Sequence, residues 1–178
     1  MFTKYCIDSS SLIDLNWRRY PQARYPDLWG AVEHVFRDDV LVAPREVRRE
    51  LQNGSHGDDL KQWATDHPNF FPDPDDDQFR RVTLLLDEFP RVCDLRKRRP
   101  VDADPWVIVL AQAHGLAVVS SERSDSDKKI PYFCHQVGVP VVDIDGFFGE
   151  MGWSFSLGGG LVGAASSSAS AERTTPTS

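Results

Sequence analysis

DADPWVIVLAQAHGLAVVSSE (102–122) is the stretch that decides the fold. Asp104 followed by Pro105 reads as an N-cap and first-turn pair, since a short acceptor satisfies orphan N–H groups and proline needs none. Gly115 then suits the left-handed residue that closes a helix. Between them WVIVLA (106–111) is apolar on every side, so this helix has no solvent face and must be buried. LAVVS (116–120) follows, apolar on consecutive residues, as in a strand covered on both faces. A buried helix feeding a buried strand is the repeating unit of a parallel sheet.

Residues 2–7, 40–43 and 140–144 carry the same strand pattern, and 69–72 a weaker one. Helical patterns fill the gaps. Pro44 opens PREVRRELQ (44–52), with Gly54 placed to close it. Residues 75–89 put Phe79, Val82, Leu85, Leu86 and Phe89 on one helical face. The alternation predicts an α/β fold: a three-layer α/β/α domain over residues 1–151 with a central parallel sheet of about five strands. Residues 152–178 turn to Gly, Ser, Ala and Thr, too little apolar surface to offset ordering entropy, and are expected to form a disordered tail.

Composition bounds the function. Within 178 residues, 27 Asp and Glu against 20 Lys and Arg leave a net charge of −7, with a pI of about 5.2. That excludes a surface uniformly suited to nucleic acid, but not a local basic patch or an acidic pocket. At 40% hydrophobic and 11% aromatic content the chain can build a core. Cys6, Cys93 and Cys134 are odd in number, far apart and without CxxC spacing, so reduced thiols in a cytoplasmic protein are expected. MFTKYCIDSS (1–10) lacks an apolar signal region, and no apolar run is long enough to span a membrane.

Open parallel sheets collect ligands at the carboxyl ends of their strands. Asp8 directly follows the first strand, Glu122 lies just past the fourth, and Asp104 opens the helix leading into that strand. Glu50 lies in the helix after the second strand, on one face with Glu46. Two carboxylates 4 Å apart repel by about 4 kcal/mol at an effective dielectric near 20. A cup of four is therefore stable only when protons or hard cations neutralise it. Magnesium and manganese prefer such oxygen ligands, and ions of this kind activate water and stabilise the leaving oxygen of a phosphodiester. Singly, each acid has a plainer role: Asp8 and Asp104 as helix caps, Glu50 on a solvated helix face, Glu122 in a loop.

Other signals fall away. Asp73, Asp75 and Asp77 suggest a calcium loop, but Gln78 and Leu84 stand where glycine and glutamate are required. The histidines show no HExxH spacing, Ser9, Ser10 and Ser11 lack a GxSxG elbow, and Gly158, Gly159 and Gly160 open no helix. Basic residues gather at 96–99, at Arg45, Arg48 and Arg49, and at Arg18 and Arg19. Each group is a solvated surface or a phosphate contact flanking the acids.

IDSSSLID (7–14), EVRREL (46–51), the 102–122 stretch and IPYFCHQVGVPVVDIDGFF (130–148) together resemble a PIN domain, the metal-dependent nuclease fold of VapC-type toxins. The likeness covers about residues 3–150 and is to a less characterised branch associated with toxin–antitoxin-like gene pairs. It implies an endoribonuclease hydrolysing RNA with Mg2+ or Mn2+ held by Asp8, Glu50, Asp104 and Glu122, and with Ser10 orienting Asp8. It also implies an antitoxin partner and a homodimer. The family's last acid is often Asp; here it is Glu122, with Asp125 and Asp127 nearby, and Asp102 competes with Asp104. The alternative is a PIN-fold binding or regulatory module whose acids only cap helices. A phosphatase working through an aspartyl-phosphate would need a second Asp where Ser10 stands.

Overall fold

The structure, a computed structural model, describes residues 4–55, 57–93, 102–123, 126–155 and 161–162. Its centre is a parallel sheet in which β1 (Tyr5–Ile7) lies between β2 (Leu41–Val42) and β3 (Ala117–Val119), with β4 (Val141–Val142) outside β3. Tyr5 pairs with both Leu41 and Ala117, and Val118 with Val141. Every residue of β1 and β3 is buried, so both faces of the sheet centre are covered. This is the predicted α/β arrangement.

Eight helices surround the strands: α1 (Ser9–Ile13), α2 (Pro26–Arg37), α3 (Arg45–Asn53), α4 (Asp58–Asp66), α5 (Asp76–Glu88), α6 (Asp104–His114), α7 (Ile130–Gln136) and α8 (Ile144–Glu150) among the described residues. A π-helical turn, Asp14–Arg19, continues α1. The 102–122 stretch folds as its pattern predicts. Pro105, Trp106, Val107, Ile108, Val109, Leu110 and Ala111 are all buried, and α6 packs on β1, β3, α5 and α7. Each fully buried Val or Ile here contributes about 1.5–3 kcal/mol. Gly115 closes α6 in the left-handed conformation (φ 63°).

Two details differ from expectation. The sheet has four described strands rather than about five, because 69–72 is not extended. Pro68–Phe70 forms a 3-10 turn, with Phe70 and Phe71 buried and Phe70 stacked on Phe36 at 4.8 Å. Packing of those rings, between Pro68 and Pro72, overrides a weak strand propensity. Asp104 is not the N-cap of α6: that position is Ala103, with no capping side chain, and Asp104 and Pro105 are the first two helical residues. Its carboxylate is therefore free of a capping role.

Of the segment expected to be a tail, Ser154–Phe155 and Leu161–Val162 pair as an antiparallel ribbon; residues 156–160 and 163–178 lie outside the described residues. No helix among the described residues is long and apolar enough to cross a membrane, and Cys6, Cys93 and Cys134 are buried with no disulfide among the described residues.

The order β2-β1-β3-β4 sends the chain one way from β1 to β2 and the other way from β2 to β3 and β4. With right-handed crossovers, such a reversal opens a crevice beyond the carboxyl ends of the two central strands. Asp8 follows β1 at that place, and Ser120 follows β3.

Candidate functional site

A cleft of about 880 Å³ opens there, lined by Ser9, Ser10, Glu50, Asp102, Asp104, Glu122 and Lys129, with Arg91 and Lys128 among its further walls. Asp8 lies beneath it, 2% exposed. The fold thus brings the four expected acids to one place, from the end of β1, α3, α6 and the loop after β3.

Asp8 follows β1 directly and caps α1: its Oδ1 accepts from the Ser11 backbone N–H at 2.7 Å. Its Oδ2 accepts from the hydroxyls of Ser10 at 2.9 Å and Ser120 at 2.6 Å. The capping role and the site role therefore fall on one carboxylate. Burial raises the Asp8 pKa, and the bonds from Ser11, Ser120 and Ser10 oppose the rise.

Glu50, on the last turns of α3, accepts from the Ser9 hydroxyl and, at 2.8 Å, from the Ala103 backbone N–H just ahead of α6. It ties α1 to the entry of α6 across the cleft. Burial raises its pKa too, with Asp102 and Asp8 adding to the shift. Glu46, its neighbour by helical spacing, is buried and pairs with Arg45 and Arg49 instead.

Asp104 faces the other acids. Its pKa is pushed well up, first by burial and then by the charges of Glu122, Asp8, Glu50 and Asp102. Among the described residues its carboxylate has no hydrogen-bond donor. Glu122 is differently placed: Lys129 Nζ donates to one oxygen at 2.5 Å and the Ile130 backbone N–H to the other at 3.0 Å. Of the rival acids, Asp102 lines the cleft, Asp127 is exposed and pairs with Arg91 at 3.5 Å, and Asp125 lies outside the described residues.

Among the described residues no three His, Cys, Asp or Glu side chains are set to hold one metal ion as they stand. Asp8, Glu50 and Glu122 each have protein donors on both oxygens, while Asp104 has none from the described residues. The donors are all oxygen, the type a hard divalent cation prefers, and the mutual repulsion that adds to the rise at Asp104 is of the kind such a cation relieves.

The partners of these acids carry no local sequence signal: Ser9 on Glu50, Ser120 on Asp8 and Lys129 on Glu122. The conspicuous arginines are engaged elsewhere. Arg48 donates to the Ala64 and Thr65 carbonyls, Arg45 pairs with Asp73 and Glu46, and Arg19 pairs with Asp14 and Asp145. Residues 96–99 lie outside the described residues.

Stability should carry the imprint of this cluster. A carboxyl whose folded pKa is raised binds its proton more tightly folded than unfolded, so it favours folding in acid. That advantage is lost as pH rises from the ordinary carboxylate value, about 4, through the raised one. Asp8, Glu50 and Asp104 all act in this sense. Urea unfolding in chelator is therefore expected to show Asp104→Asn gaining on the wild type as pH climbs from about 4 to 8. Parallel curves over that range would show that the repulsion is absent.

A family model described as "Domain of unknown function (DUF4411)" matches residues 5–155. No curated protein matches the sequence. Among solved structures the chain is similar to the crystal structure of VapBC2 from Rickettsia felis bound to a DNA fragment from their promoter. That match has 12% identity and a TM-score of 0.47, and covers 78% of this chain and 97% of that one.

Proposed function

We propose that this chain, which belongs to the DUF4411 family, is a Mg2+- or Mn2+-dependent endoribonuclease acting at the cleft above Asp8. The observation that carries the reading is Asp104, a half-buried carboxylate raised by its burial and by four neighbouring acids, and left without a donor among the described residues. Structural helix caps are held by donors. A group left repelled and open at the switch point of a parallel sheet is where a cation is wanted.

Asp8, Glu50 and Asp104 would hold the ion, with Glu122 at the rim. When bound, a divalent ion supplies Lewis-acid activation of water and charge neutralisation at a phosphodiester. The chain's own residues do the rest. Ser10 and Ser120 keep Asp8 oriented through Oδ2, so its lone pairs stay aimed along one direction. Ser9 and the Ala103 N–H hold Glu50 against the entry of α6 and so fix its distance from Asp104. The cleft, about 880 Å³ and lined mostly by polar and charged side chains, suits a charged strand better than a small apolar ligand. The sequence resemblance to VapC-type PIN domains supports RNA as substrate and an antitoxin protein as partner.

The test is cleavage of a mixed cellular RNA pool by the purified protein in manganese, beside a chelator arm and Asp8→Asn. Discrete fragments should appear with the wild type alone. Fragments that persist with Asp8→Asn would place the activity elsewhere, and none in any arm would leave a binding module as the better account.

A further inference from the structure

Arg91, Lys128 and Lys129 all line this cleft, but among the described residues only Lys129 is bonded to one of the four acids, and Glu122 is the one acid of the four with a cationic donor. Both Glu122 oxygens are committed to consecutive residues, one to Lys129 Nζ and the other to the Ile130 N–H. The Glu122 side chain is 16% exposed while that of Lys129 is 48% exposed. The carboxylate is thus sunk and anchored, and the ammonium is presented. The Glu122 N–H donates to Ser120 Oγ at 3.3 Å, and that hydroxyl donates to Asp8. The Glu122–Lys129 pair is therefore built onto the same frame that orients the deepest acid.

A phosphodiester entering a cup of carboxylates meets like charge on every side. It needs a cation that already faces the cup, and among the described arginines Arg19, Arg45 and Arg48 are bonded away from it. Lysine suits the task, being a compact charge with three donors on a flexible stem that can turn from Glu122 toward a phosphate oxygen.

We infer that Lys129 binds a substrate phosphate at the cleft, and that Glu122 is its positioning residue rather than a metal ligand. This rests on the nuclease reading above but assigns Glu122 a different part from Asp8, Glu50 and Asp104.

Two binding measurements on the full chain test it without requiring turnover. In the first, a fluorescein-labelled single-stranded RNA of mixed sequence is titrated in calcium, with anisotropy read at several salt concentrations. Lys129→Met should weaken binding about tenfold and lower the slope of log Kd against log salt by about 0.7, the value for neutralising one phosphate fewer on a single strand. Lys129→Arg should restore both. In the second, calorimetry with manganese chloride should give Glu122→Gln an affinity within about threefold of wild type, whereas Asp104→Asn loses binding.

An unchanged salt slope for Lys129→Met overturns the phosphate role of Lys129. Loss of manganese affinity in Glu122→Gln, matching Asp104→Asn, overturns the positioning role and makes Glu122 a ligand. A wild type that binds neither manganese nor RNA defeats the nuclease reading itself, and this inference with it.

Discussion

Asp104→Asn is expected to do two opposite things. In manganese it should lower RNA cleavage by at least about a hundredfold, since even residues that only support a ligand are worth ten- to a hundredfold. In chelator it should raise the melting temperature, by about 2–4 °C for each 1 kcal/mol of relieved repulsion in a domain of this size. Both follow from one observation: Asp104 is pressed upward in pKa by burial, then by Glu122, Asp8, Glu50 and Asp102. A group retained against its own electrostatics marks a site where stability is exchanged for function. A fall in both melting temperature and activity would instead make Asp104 an ordinary structural residue.

Asp8→Ala should be damaging in the conventional way. It deletes the cap of α1 and strands the Ser11 N–H, with the Ser10 and Ser120 hydroxyls left to find other partners. Loss of a cap costs about 0.5–2 kcal/mol and an unsatisfied buried donor about 1–3. Urea denaturation should therefore show a loss of about 3 kcal/mol, enough to make an activity assay on that variant uninformative. Asp8→Asn keeps an acceptor for the Ser11 N–H and should lose well under half as much stability. The two substitutions separate the capping role of Asp8 from its proposed part in cleavage. Equal losses would mean that the charge, rather than the acceptor, holds α1 in place.

The parts of this architecture legible in the sequence are those governed by neighbours along the chain. The apolar run of α6 and the consecutive Ala117, Val118 and Val119 of β3 announce themselves by pattern, and they locate Asp104 and Glu122 with them. Asp8 is legible because it directly follows an apolar strand. The failures are tertiary. Phe70 and Phe71 look extended until Phe36 and Trp63 are brought against them. Asp104 beside Pro105 looks like a cap until the chain enters α6 one residue earlier, at Ala103. The hydroxyl of Ser120 reaches Asp8 across 112 residues, and that of Ser9 reaches Glu50 across 41, so no local spacing encodes either bond. The same limit misdirects attention among the cations. Of the clustered arginines, Arg45, Arg19 and Arg48 are occupied by Asp73, Asp145 and the Thr65 carbonyl, while the less conspicuous pair Lys128 and Lys129 lines the cleft.

The central claim, that the acids beyond β1 and β3 form a cation site, is tested most directly by thermal unfolding during a manganese titration of wild type and Asp104→Asn. A ligand that binds only the folded state at a hundred times its Kd stabilises by about 2.7 kcal/mol. The wild type should therefore gain several degrees, saturating with concentration, and Asp104→Asn should stay flat. A wild type that gains nothing, or a variant that gains equally, would contradict the account.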